Sequence, residues 1–173
     1  VGEHILHSLD YVRADRVLRI TMLLHDIGKP VVRKTDENGR DHFKTHGDAG
    51  EKIAGQILRR LKFDNDTIRK VTRLVKWHDD RPEGTTKSVR RAVNRIGDDL
   101  FPYYLEVQQA DMLAQSEYRR AEKQERLDKV KDAYEVILKE HQCVSLKTLA
   151  VTGKDLIQAG YKPGREIGET LNR

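Results

Sequence analysis

His25 and Asp26 stand side by side in Met22-Leu23-Leu24-His25-Asp26-Ile27-Gly28-Lys29, with His4, His46, the pair His78-Asp79 and Asp111 distributed around them. Neutral imidazole combined with carboxylate suits a divalent ion, namely Mn, Fe, Co, Ni, Mg or Zn, and adjacent His and Asp ligands can serve two ions or share one. The series His, His-Asp, His, His-Asp, Asp therefore reads as a site for one or two metals working on phosphate. Taken singly, each residue says little, because a histidine at a helix end commonly caps carbonyls and an aspartate commonly caps amides. The order matters because facing helices of a bundle are where such ligands gather, and a metal pairs charges that burial would otherwise leave uncompensated.

The elements that must position these residues follow from apolar spacing. From Glu3 to His25, Ile5, Leu6, Leu9, Val12, Val17, Leu18, Ile20, Met22, Leu23 and Leu24 recur at helical intervals with a break at Arg13 to Asp15, predicting two short helices. Pro30 is expected to end the second, leaving His25 and Asp26 at its terminus. Asn38-Gly39 between β-favouring residues predicts a short hairpin within residues 31–44 that could cover a site. A helix starting near His46, another capped by Asp64 or Asp66 and ending at His78, and two more over 88–96 and 99–115 follow, the last carrying Asp111 among apolar neighbours. A charged helix over 116–141 has a fully polar stretch from Glu117 to Lys129, which predicts an exposed or domain-bridging arm.

The chain of 173 residues predicts an all-α helical bundle over 1–141 and a small helical tail over 142–173, since no alternation of strand and helix signals a doubly wound sheet. Because it starts at Val1 and opens almost at once on a candidate ligand, an N-terminal domain is expected to be missing. With 37% hydrophobic and 35% charged residues, a core is affordable only behind heavily ionic outer faces. No apolar run is long enough to span a membrane. The single cysteine, Cys143, excludes an internal disulfide, and the absence of a secretory signal before the helices predicts a cytoplasmic setting. A formal net charge of +5 favours a polyanionic partner such as a nucleotide or nucleic acid.

Through His4, His25-Asp26 and Asp111 the chain resembles the HD-domain superfamily of metal-dependent phosphohydrolases, whose signature runs H…HD…D. The resemblance is closer to the HD region in the C-terminal half of bacterial CCA tRNA nucleotidyltransferases, given Leu24-His25-Asp26-Ile27-Gly28-Lys29-Pro30, Thr35-Asp36-Glu37-Asn38-Gly39, His42-Phe43, His46, Trp77-His78-Asp79 and Ala110-Asp111-Met112-Leu113-Ala114-Gln115. The tail segments Thr152-Gly153-Lys154-Asp155-Leu156-Ile157 and Gly160-Tyr161-Lys162-Pro163-Gly164 resemble the same subgroup. The resemblance implies a first metal on His4, His25, Asp26 and Asp111, a second at His46 and His78, and Asp26 between them.

Lys29 is a candidate phosphate contact, and Asp79 a candidate to orient His78 or accept a proton; the plain alternative for both is a solvated helix end. The expected reaction is phosphoester hydrolysis on nucleotides or RNA ends, including 2′,3′-cyclic phosphates. The competing expectation is a non-catalytic tRNA-binding module gripping backbone through Lys154, Lys162 to Arg165 and the charged helix. A third is a metal-binding fold whose catalysis has decayed. The Gly-Ser phosphate loop and paired aspartates of a nucleotidyltransferase head have no counterpart here, so nucleotide addition by these residues is not expected. The Gly-Tyr-Pro element of a related cyclic-dinucleotide-cleaving branch is also missing.

Overall fold

Asp15 starts the helix that carries the His-Asp pair: its carboxylate accepts a hydrogen bond from Leu18 N at 3.0 Å, satisfying one of the donors a helix start leaves open. The computed structural model describes residues 2–140, 153–161 and 163–164. In chain order these form α1 (Gly2–Asp10), α2 (Arg16–Leu24), α3 (Lys29–Val32), β1 (Lys34–Thr35), β2 (Asp41–His42), α4 (His46–Arg60), α5 (Asn65–Trp77), α6 (Thr86–Ile96), α7 (Phe101–Ala114), α8 (Arg120–Lys139) and α9 (Gly153–Gln158). The architecture is an all-α bundle with one short antiparallel hairpin, in which Lys34 faces His42 and Thr35 faces Asp41. Gly39 at φ 74° makes its turn, a conformation that costs glycine little.

Three buried clusters hold the helices together. Leu24 of α2 meets Ala54 and Leu58 of α4 and Val71 and Val75 of α5. Leu18 and Met22 of α2 meet Val107 and Ala110 of α7. Leu74 of α5 joins Val93 and Ile96 of α6, Phe101 and Tyr104 of α7, and Val130 and Ile137 of α8. Apolar burial at about 25 cal/mol per Å² is what fixes these crossings, so the ends of α2, α5 and α7 are set by packing rather than by the polar groups they carry.

Three readings of the sequence are corrected. Pro30 does not end α2, which stops at Leu24; it sits in the first turn of α3, where its fixed φ fits and its missing N–H costs nothing. Residues 25–28 between them turn tightly, Ile27 N donating to Leu24 O and Lys29 N to Asp26 O. The last helix of the bundle is no arm. Helix α8 begins only at Arg120 and buries Leu127, Val130, Ala133 and Ile137 against α6 and α7, its charges lying on the remaining faces. Helix α6 starts two residues before the predicted Ser88, because Thr85 supplies the cap to Ser88 N. Of the predicted tail, α9 and its neighbours to Tyr161, with 163–164, are described; Lys162, Arg165 and the rest lie outside the described residues. Among the described residues, no helix is long and apolar enough to cross a membrane.

Candidate metal centre

Five segments converge on one buried point. His4 comes from α1, His25 and Asp26 from the turn ending α2, His46 from the first residue of α4, His78 from the end of α5, and Asp111 from the last turn of α7. Two glycines permit the approach. A Cβ on Gly28 would fall 2.1 Å from His46 O, and one on Gly47 would fall 2.3 Å from Lys76 O. Without side chains there, the start of α4 presses both on the His-Asp turn and on the end of α5. His25, Asp26, His46 and His78 are consequently buried.

The carboxylate of Asp26 divides the cluster. Its Oδ2 lies 3.5 Å from His25 Nε2 and 2.6 Å from Lys29 Nζ, and its Oδ1 lies 3.6 Å from His78 Nε2 and 3.9 Å from His46 Nε2. On the first side, His4 Nε2 is 2.9 Å from Asp111 Oδ1 and 3.3 Å from His25 Nε2, which is itself 3.5 Å from Asp111 Oδ1. On the second side, His46 Nε2 and His78 Nε2 face each other at 3.0 Å. The ligand atoms of His4, His25 and Asp26, and those of Asp26, His46 and His78, form two sets close enough to hold an ion each.

The proton positions make this arrangement specific. Nδ1 of His25 lies 2.6 Å from Met22 O, Nδ1 of His46 lies 2.8 Å from Phe43 O, and Nδ1 of His78 lies 2.7 Å from Val75 O. A carbonyl only accepts, so each Nδ1 carries the proton, and in the neutral ring Nε2 offers a lone pair. Lone pairs of His46 and His78 then point at one another, which repels unless a cation lies between them. Two nitrogens about 2.1 Å from one ion, at tetrahedral or octahedral angles, stand roughly 3.0–3.4 Å apart. The His46–His78 and His4–His25 separations, 3.0 and 3.3 Å, match that span, and the carbonyls are the outer partners that metal-bound imidazoles normally have. The residues present therefore fit a divalent ion on either side of Asp26.

Electrostatics keep both carboxylates of the cluster ionised, and favour the neutral ring at His46 but not at His4. Burial acts to raise the pKa of Asp26, but His78, His25 and Lys29 outweigh it and hold the carboxyl far below the usual range. Asp111 is likewise buried yet held low by His25 and His4. His4 is pushed up, chiefly by its bond to Asp111. His46 is pushed down by burial, with His78 adding to the effect, which favours the neutral form a ligand needs.

Above the cluster opens a cavity of about 600 Å³. Asp26, His46, His78 and Asp111 line it together with Lys29, Phe43, Lys44, Lys76, Asp79 and Arg81. The hairpin contributes Asp41 and His42, so it borders the mouth as expected. Lys29 Nζ also lies over the Phe43 ring, 5.8 Å from its centroid. Asp79 does not orient His78; it pairs with Arg81 at 2.7 Å on the rim, and the carbonyl of Val75 holds the His78 ring instead.

Several positioning groups escaped the sequence. Gln115 Nε2 donates to Asp111 Oδ2 at 2.9 Å, a pair that the spacing of four on a helix could have suggested. Gln108 Nε2 donates to His78 O and Asp80 O, and Tyr104 OH donates to Asp80 O, so α7 clamps the turn after α5. These are long-range contacts with no local signal.

Fold and cluster together define a helical bundle with a buried histidine-aspartate centre under a cavity lined by both cations and carboxylates. The sequence matches the family tRNA nucleotidyltransferase domain 2 over residues 43–173, and the chain belongs to that family. It is 33% identical over 154 residues to the CC-adding tRNA nucleotidyltransferase of Thermus thermophilus, covering 88% of this chain and 34% of that protein. It is 32% identical over 180 residues to the A-adding tRNA nucleotidyltransferase of Deinococcus radiodurans, covering 98% of this chain and 40% of that protein. The chain thus spans two fifths or less of the curated relatives it matches. The family match contains His46, His78 and Asp111 and begins after His25 and Asp26.

Proposed function

We propose that this chain is an HD-type, metal-dependent phosphohydrolase region of a tRNA nucleotidyltransferase-like protein, acting on nucleotide or RNA-end phosphates, 2′,3′-cyclic phosphates included. The observation that carries the reading is the convergence of Nε2 lone pairs from carbonyl-locked histidines on the two oxygens of Asp26. His4, His25, Asp26 and Asp111 would hold one divalent ion, and His46 and His78 with Asp26 a second. When bound, such an ion supplies Lewis acidity and an activated water near neutral pH.

The protein's own groups do the rest. Lys29, tethered to Asp26, places an ammonium where a phosphate oxygen can meet it beside the ligands. Lys44 also lines the mouth, without an ion pair among the described residues, and can meet an anionic substrate, whereas Lys76 is already paired with Asp48 and Glu51 and Arg81 with Asp79. Asp79 fixes the Arg81 guanidinium rather than taking a proton from the buried cluster. The cavity volume accommodates a nucleotide-sized ligand.

The test is metal content by elemental analysis on protein purified without chelator, with phosphatase and cyclic-phosphodiesterase assays across Mg, Mn, Co and Ni. Near-stoichiometric metal, with turnover lost at least a hundredfold in Asp26→Ala, is expected. Protein with no bound metal and no turnover would overturn the reading. The second reading, a tRNA grip without catalysis, is favoured by one observation, that both relatives are named for tRNA. A grip would survive Asp26→Ala and weaken steeply with salt.

A further inference from the structure

We infer that the cleft between α7 and α8 is a second phosphate site, so that the centre takes a polynucleotide end, with the phosphate next to the reacting one resting on Arg126, rather than a free mononucleotide. The hydrolase reading is needed only to say which phosphate reacts; the cleft rests on its own geometry. It adjoins the metal cavity directly, since Arg81, Asp111 and Gln115 border both. Its enclosed volume is small, about 20 Å³, which admits a phosphate oxygen and not a buried base. A strand would therefore lie over it.

The charges in the cleft are unbalanced. Lys123 and Arg126 line it, beside Arg81 that Asp79 already pairs, against a single carboxylate, Asp111, whose oxygens already face His4 and Gln115. Lys123 Nζ donates only to the neutral Gln115 Oε1, at 2.8 Å. Arg126 has neither a hydrogen bond nor an ion pair among the described residues. The acids nearby on α8 are occupied elsewhere: Glu122 pairs with Arg119, Glu125 with Lys129, and Asp128 with Gln124 and Lys131. Pro82, Met112 and Leu127 form an apolar floor beside the cations, which lowers the local dielectric and strengthens their pull on an anion. A planar guanidinium is the side chain best matched to two phosphate oxygens. Continuous with the metal cavity and ending on an arginine that is unpaired among the described residues, this surface offers a second phosphate contact that a strand has and a single nucleotide lacks.

The experiment uses the whole chain with Mn²⁺, a fluorescein-labelled RNA tetranucleotide bearing a 3′-phosphate, and a 3′-mononucleotide as the short probe. The tetranucleotide should bind at least tenfold more tightly than the mononucleotide. Arg126→Ala should cost the tetranucleotide about tenfold and the mononucleotide less than twofold. Its slope of log affinity against log salt should fall by about 0.7, the share of one single-strand phosphate. A thermal melt unchanged from the parent guards against a folding artefact. Equal affinity for both lengths, equal losses on both probes, or polyglutamate competing as well as RNA would each overturn the proposal. Where turnover is measurable, kcat/KM should show the same split. If no phosphoester is turned over, the hydrolase reading falls and the binding split alone decides the cleft.

Discussion

Thr45 holds φ 66° and ψ 15° immediately before the candidate ligand His46, a left-handed conformation that a β-branched side chain adopts at a cost of about 1–2 kcal/mol. Its hydroxyl donates to Lys44 O and not to an open amide of α4, so it repays nothing as a cap. Thr45→Gly is therefore expected to stabilise the fold by about 0.5–1 kcal/mol after the extra entropy of the unfolded glycine is charged, raising Tm by about 2 °C in a melt. A lower Tm would mean that the side chain supports the hairpin in some way the strain argument misses. The residues that gather at the candidate centre were legible in the sequence because His-Asp adjacency and the recurring histidines at helix ends are local signals. Their protonation states were not. Which nitrogen of each ring faces the centre depends on carbonyls placed by the fold, and Gln108 acts on His78 across 30 positions of chain.

At the scale of elements, Asp64 caps α5, the helix that delivers His78, by accepting from Thr67 N and Thr67 Oγ1, both at 2.8 Å. Those bonds bring its pKa down to about 2 from an ordinary 3.8. A depressed carboxyl stabilises the fold wherever it is ionised, so the contribution is complete above about pH 4 and is lost as pH falls through about 2. The Tm gap between the parent and Asp64→Ala should accordingly be widest near neutrality and close as pH approaches 2. A gap unchanged with pH would show that the protonated side chain caps equally well. Helix positions were readable from apolar spacing, since periodicity reports burial directly. Pro30 misled because the same ring that ends one helix suits the first turn of the next. Helix α8 misled because charge on three faces conceals a narrow apolar seam, Leu127, Val130, Ala133 and Ile137, that is enough to dock it.

For the molecule as a whole, a metal held at the proposed centre, which draws on α1, α2, α4, α5 and α7, would tie folding to metal. An ion that binds only the native state stabilises it by about 2.7 kcal/mol at a hundred times its dissociation constant. Saturating Mn or Zn should raise Tm by about 5–10 °C over chelator-treated protein, and Asp26→Ala should abolish the increment, both read by scanning fluorimetry. An identical shift in the variant would place the binding elsewhere. The all-α architecture, the hairpin and the gathering of the candidate ligands were foreseeable, whereas the backbone approach that permits the gathering was not, since Gly28 and Gly47 matter only through the backbone each lets in.

The carbonyls that hold His25, His46 and His78 each lie three residues earlier in the chain. Each of these three candidate ligands thus carries its own aiming device within a tetrapeptide, and the tertiary structure has only to bring the tetrapeptides together. Such units are transplantable: a designer could move one onto another helix end with its ring already aimed. An ancestral bundle could likewise have gained ligands one unit at a time, without having to evolve a separate distant partner for each.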